Sequence, residues 1–219
     1  MIDAAYFKGF PKETADFLFE LKLHNTLSEQ EENLKKYKIL ISEPLKLLYE
    51  ELLPTVNTIS QRFETNPGRC ISTPYTDRRF SPSVPLKEYM YIRFKYTCLQ
   101  ENIPGLYFDM GSEYYSYGLR VYKQNIKGMD KLREKIADLP EKFSEVIDKL
   151  IVQGFSLIGE SYKKDKIPAL YDCSAKKLYN MKSFYIGKNI EVNKNVFSKN
   201  LAEEIKDGFI AAGEFIKLI

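Results

Sequence analysis

Residues 89–122 constrain the fold of this chain more than any other stretch. In Tyr89 to Tyr96, YMYIRFKY, one side collects Met90, Ile92, Phe94 and Tyr96, while the other collects Tyr89, Tyr91, Arg93 and Lys95. Successive side chains of a strand point to opposite faces, so a polarity period of two specifies a strand buried on one face only. GLYFDM repeats the arrangement, with Leu106, Phe108 and Met110 against Tyr107 and Asp109. After the short GSE turn, YYSYGLRVY sets Tyr115, Tyr117, Leu119 and Val121 against Tyr114, Ser116, Gly118, Arg120 and Tyr122. Three such strands joined by short turns predict an antiparallel meander with one face packed on helices.

The flanking sequence supplies those helices. Pro11 suits a first helical turn, and Phe17, Leu18 and Leu21 give a short helix its apolar face before it fades at His24 and Asn25. Ser28 and Glu31 have capping-box spacing and open a segment with Leu34, Tyr37, Ile41, Leu45, Leu48 and Leu52 at helical intervals. Pro44 is expected to kink or split that segment, and Pro54 to end it near Leu53. Beyond the strands, Met129, Leu132, Ile136 and Leu139 mark one helix. Pro140 opens another with Phe143, Val146, Ile147 and Leu150, which Gly154 closes. FSLIGESYKK reads as a weak strand or a loop, SAKKLYN as a short helical piece and KSFYIGK as a strand; Ser198 then caps a terminal helix bearing Leu201, Ile205, Phe209 and Ile216. The expected fold is α+β, an antiparallel meander packed on one face by N-terminal and C-terminal helices, in one domain spanning 1–219.

Composition limits the functional classes. Basic and acidic residues number 33 and 30, and a net charge of +3 does not by itself call for a polyanion, so nucleic acid is not the favoured partner. Cys70, Cys98 and Cys173 are odd in number, widely spaced and without a CxxC pair, and His24 is the only histidine. These residues read as reduced thiols and leave no histidine-rich metal site. MIDAAYFKGFPKE lacks a basic n-region and an apolar core, and no apolar run reaches membrane-spanning length, so a cytoplasmic location without membrane association is expected. Nucleophile elbow, Walker glycine loop and dinucleotide fingerprint are all missing; no cofactor, reaction or oligomeric state can be read from the sequence.

What remains is the polar strand face and the loop that leads into it. Pairing in sequence order puts Tyr91, Arg93, Tyr107, Asp109, Ser116, Arg120 and Tyr122 on one surface, and YTDRRFSPSVPLK brings Asp77, Arg78, Arg79 and Lys87 to its end. Guanidinium forks and tyrosine hydroxyls suit a carboxylate or phosphate, whereas a solvated sheet face explains the same residues without any ligand. Asp77 beside two arginines is held ionised, which makes it a positioner of Arg79 before it is a general base.

The order FKGFPKETADFLFEL, a proline-bearing helix, YTDRRFS, a lysine, the sheet, then MKSFYIGKNI and a terminal helix resembles the widespread bacterial family known as domain of unknown function 2461. Its sharpest element is the Asp-x-Arg-Phe core at Asp77, Arg79 and Phe80. The resemblance implies a one-domain cytosolic protein and supplies no reaction. Members typically carry further arginines upstream of the Asp and an Asp-Lys or Asn-Lys pair after the Phe. Thr73 and Thr76 stand in the upstream stretch here and Ser83 and Val84 in the later one, so the chain resembles a divergent member in which Lys87 substitutes for the missing lysine.

The reading that follows is a binder of a small anionic ligand, phosphorylated ligands included. Its site is Asp77, Arg79, Lys87, Tyr91, Arg93, Arg120 and Tyr122: the arginines hold the anion, Asp77 orients Arg79, and Tyr91 and Tyr122 form walls. An enzyme acting at the same site, and a protein or single-stranded nucleic-acid module using the tyrosine-rich face, are the alternatives.

Overall fold

The alternation in residues 90–121 does build a sheet. The computed structural model describes residues 6–77, 79–98, 101–121, 126–167 and 169–219, except for the side chains of 97–98 and 101–104. Strands β1 (Met90–Cys98), β2 (Glu101–Met110) and β3 (Tyr114–Val121) form the meander, with Ile92 opposite Phe108 and Phe108 opposite Tyr117. Two later strands, β4 (Ser156–Ser161) and β5 (Met181–Glu191), complete a five-stranded antiparallel sheet in the order β1-β2-β3-β5-β4. Met90, Ile92, Phe94, Leu106, Phe108, Met110, Tyr115, Tyr117, Leu119 and Val121 are all buried on one face, as their spacing requires.

That face is covered by α1 (Thr14–Leu23), α2 (Gln30–Tyr37), α3 (Glu43–Ile59), α5 (Ile126–Asp138), α6 (Pro140–Val152) and α8 (Asn200–Ile216), with short α4 (Pro67–Cys70) and α7 (Ser174–Tyr179) beside them. Phe94 shows how the layers lock. It stacks on Tyr49 of α3 at 5.5 Å and meets Phe209 of α8 edge-on at 6.2 Å. Helix α8 comes close because Gly208 has no side chain: a Cβ there would lie 2.3 Å from the Tyr117 ring. The Tyr115 and Tyr117 hydroxyls, although on the apolar face, both donate to Glu204 of α8, so each buried phenol keeps a partner.

Several helix ends differ from expectation. Helix α1 starts at Thr14, with Pro11 in the preceding turn accepting the Thr14 N–H. Two residues ahead of the expected box, Glu29 reaches back to the N–H and hydroxyl of Thr26, leaving Ser28 without a cap role at α2. Pro44 does not break the helical path: a π-helical turn, Lys38–Ser42, joins α2 to α3, and the Leu40 carbonyl, which Pro44 cannot serve, accepts instead from the Thr14 hydroxyl at 2.9 Å. The wider turn keeps Tyr37, Ile41 and Leu45, spaced by four, on one buried line. Nor does Pro54 end α3. It is on the solvent side, where the Glu50 carbonyl that loses its donor can turn to water, while Leu52 and Val56 stay fully buried. Leu139 belongs to the N-cap of α6 and not to the apolar face of α5. Ser198 accepts the Asn200 N–H one residue before the N-cap of α8.

The outer edge of β1 is occupied. Glu64 N–H donates to the Lys95 carbonyl, Ser72 N–H to the Tyr91 carbonyl, and Tyr91 N–H to Ser72 Oγ at 3.0 Å. Together with the bridges Phe63–Tyr96 and Ile71–Ile92, these bonds fasten β1 on both sides. No described helix is long and apolar enough to cross a membrane.

Candidate functional site

The polar sheet face and the loop that enters it meet in one continuous strip. Register sets Tyr91 opposite Asp109 and Asp109 opposite Ser116, and likewise Arg93 opposite Tyr107 and Tyr107 opposite Gly118. The Arg93 guanidinium sits over the Tyr91 ring, its Cζ 3.6 Å from the centroid, a short cation–π contact. Asp109 then joins two strands: Arg120 donates to its Oδ2 at 3.1 Å, and Arg93 approaches its Oδ1 at 3.7 Å. Burial raises the Asp109 carboxyl above its usual range against the pull of both guanidiniums.

Tyr107 forms the floor of this strip. It crosses the sheet to exchange a 2.8 Å hydrogen bond with Ser116, and only glycine fits beneath it. A Cβ on Gly187 would lie 2.3 Å from the Tyr107 hydroxyl oxygen. Enclosure pushes this phenol up to about 12. The sequence put Tyr107 on the polar face, yet it is 3% exposed, because glycine neighbours let an aromatic ring lie flat where period two alone implies a solvated side chain.

The loop is closed at its base like a hairpin. Tyr75 bridges Leu86, Thr76 N–H donates to the Pro85 carbonyl, and Lys87 N–H donates to Pro74. Asn25, just beyond α1, pins it from outside by bonding both the carbonyl and the N–H of Leu86, at 2.7 and 3.3 Å. No periodicity marks Asn25, so sequence reasoning gave it only a helix-ending role.

At the loop tip Arg79 pairs with Asp77 through two bonds, 2.9 and 2.6 Å, and holds that carboxyl down at about 2. Asp77 and Arg79 are thus paired side chain to side chain. The Arg79 side chain is 82% exposed, so this pair is apart from the junction of Arg93, Asp109 and Arg120. Lys87 goes the other way. Its Nζ bonds the Thr73 carbonyl at 2.8 Å and comes within 5.4 Å of the Tyr91 ring. Burial first, and the charge of Arg93 second, lower its pKa.

Between loop and strand lies a cavity of about 770 Å³. Asp77, Lys87 and Tyr91 line it, together with Tyr75, Phe80 and Tyr89, which sequence analysis had not assigned to the site. The structure thus brings Lys87, Tyr91 and Arg93 together, links Arg120 to them through Asp109, and keeps Asp77 on the cavity wall with Arg79 behind it. Tyr122 and Arg78 lie outside the described residues. Among the described residues no three of His, Cys, Asp and Glu converge on a metal position. Cys70 is buried and donates to the Glu64 carbonyl, and burial raises its thiol to about 11, an inert setting.

An α+β protein whose sheet gives one face to helices and the other to a charged, aromatic strip is the class that fold and site define. The model of the family described as conserved hypothetical protein (DUF2461) matches residues 13–217, and the chain belongs to that family. No curated protein and no solved structure matches it.

Proposed function

We propose that this protein binds a small anionic ligand, a carboxylate or a phosphate, in the cavity between the 73–88 loop and β1. One observation carries the reading: Lys87 and Arg93 are both brought against the Tyr91 ring, at 5.4 and 3.6 Å, beside an open cavity of ligand size. Burial first, and repulsion from Arg93 second, lower the pKa of Lys87. An anion at this point offsets both and raises Lys87 back toward its ordinary basicity. Asp109 and Arg120 anchor Arg93 from behind, Tyr91 is the wall between the two cations, and Arg79, oriented by Asp77, stands at the loop tip on the cavity's outer side.

The test is a thermal-shift panel of inorganic phosphate, phosphomonoesters and small carboxylates, repeated at low and high salt. Stabilisation that fades with salt and disappears in both Lys87→Ala and Arg93→Ala supports the reading. Anion-induced shifts that survive both substitutions, or no shift from any anion, refute it.

A further inference from the structure

We infer that the anion taken at this site is carried on a planar ring, so that the ligand class is an aromatic or heteroaromatic anion. This inference rests on the anion-binding reading and adds the part of the ligand that the charges do not specify.

Tyr89, Tyr91 and Arg93 are two residues apart and run along the polar side of β1 as a ladder of flat groups. The Tyr89 and Tyr91 rings have centroids 6.3 Å apart and planes inclined by only 27°, and the Arg93 guanidinium closes the series at 3.6 Å. One end of the ladder is thus capped by a cation, itself tied to Asp109. The other end is Tyr89. Its backbone carbonyl accepts from Tyr37, but no further ring or cation packs on it among the described residues, and it is 44% exposed on the cavity wall.

The opposite wall has the same character. Phe80 at 82% exposure and Tyr75 at 48% both line the cavity and leave ring surface open to it. Three exposed aromatics around a cavity lined by Lys87, with Arg93 over the Tyr91 ring next to it, form a stacking platform beside an anion position. Every planar ring offers a π-face, and stacking on an aromatic side chain is worth roughly tenfold or more in affinity. A ring on the open face of Tyr89 becomes the next rung, with its anionic arm directed toward Lys87, which lines the same cavity.

The experiment measures dissociation constants at fixed ionic strength for five probes. Inorganic phosphate and ribose 5-phosphate carry charge without an aromatic ring; phenyl phosphate and adenosine monophosphate carry both; adenosine carries the ring alone. The chain contains no tryptophan and sixteen tyrosines, so the part of the tyrosine quenching that Tyr89→Leu removes reports stacking at Tyr89, provided that every ring-bearing probe is corrected for inner-filter absorption. The expected result is that ring-bearing phosphates bind about tenfold or more tighter than the ring-free ones, with quenching. Tyr89→Leu removes that advantage, while Tyr89→Trp keeps it. Both substitutions are at an exposed position, and an unchanged melting temperature confirms that they fold. If phenyl phosphate and adenosine monophosphate both gain, the platform accepts any planar ring; if only the nucleotide gains, it selects a heteroaromatic base. Equal binding of ringed and ring-free phosphates overturns this inference and leaves the anion site standing. A ring preference that persists in Tyr89→Leu also overturns it. Failure of every charged probe removes the anion site and this inference with it.

Discussion

Gly187→Ala tests whether the floor of the strip is built as described. A Cβ at this position lies 2.3 Å from the Tyr107 hydroxyl oxygen, 3.3 Å from its Cζ and 2.9 Å from the Tyr117 carbonyl oxygen. Relieving the first contact requires the phenol to move by about 1 Å, since ordinary carbon–oxygen contact begins near 3.4 Å. Tyr107 is 3% exposed, and its movement breaks the bond to Ser116, at about 1 kcal/mol, and forces an off-rotamer side chain, at about 1 kcal/mol more. The contact with the Tyr117 carbonyl adds a backbone adjustment, for a total loss of about 3 kcal/mol. Tyr107→Phe alone costs about 1 kcal/mol through the lost Ser116 bond. In the double variant the 2.3 Å contact no longer exists, so the total is expected near 2 kcal/mol, not the additive 4 kcal/mol. Urea denaturation of the four proteins at equal slope measures this coupling of about 2 kcal/mol. Additive losses would show that Tyr107 does not lie over Gly187, and the account of the floor would be abandoned.

Pro54→Ala is expected to stabilise the protein by about 1–2 kcal/mol, because restoring a helix-interior hydrogen bond outweighs the added freedom of the unfolded chain; a loss of stability in chemical denaturation would contradict a continuous α3. Phe94→Ala, which empties the contact between α3 and α8, should cost about 3–5 kcal/mol, whereas Phe80→Ala at the exposed loop tip should leave the melting temperature unchanged; similar losses for both would refute this division between core and platform. Alkaline titration followed by phenolate absorbance should show a late group of tyrosines. Burial raises Tyr107 and Tyr115 to about 12, and Tyr37 and Tyr117 are raised as well. A folded pKa above the unfolded value means stability that is complete below pH about 10 and is lost as pH rises through about 12, so the late ionisation should coincide with unfolding; full titration near pH 10 with the fold intact would contradict these environments.

Legibility from sequence followed the strength of periodicity. Strands β1 to β3 were readable because each buries alternate residues, and α8 because Leu201, Ile205 and Phe209 recur at helical spacing. Strand β4 was not, since Leu157 is its sole buried residue and five exposed neighbours leave no alternation to detect. Pro54 misled because the rule against helix-interior proline is a local cost of a few kcal/mol, and the burial of Leu52 and Val56 in the same helix exceeds it. At the site, the shared face of Tyr91, Arg93, Asp109 and Arg120 follows from register alone. That Asp109 is held by both arginines depends on rotamers, which no spacing encodes. Tyr89 read as an ordinary polar-face residue of the first strand; its place at the end of a series of planar groups, just before β1, is seen only with the cavity beside it.

For the anion proposed in this cavity, the fastening of β1 on both edges sets how the two walls would share its recognition. Tyr91 and Arg93 stand on a strand bonded to β2 on one side and to Glu64 and Ser72 on the other, so that wall keeps its shape whether or not a ligand is present. Adjustment falls to the opposite wall, where Phe80 and the Asp77–Arg79 pair sit on a tip held mainly through the Tyr75–Leu86 base. The entropy of ordering is therefore confined to about half the site, and ligands that differ in size should change the tip while meeting the same fixed ladder of rings.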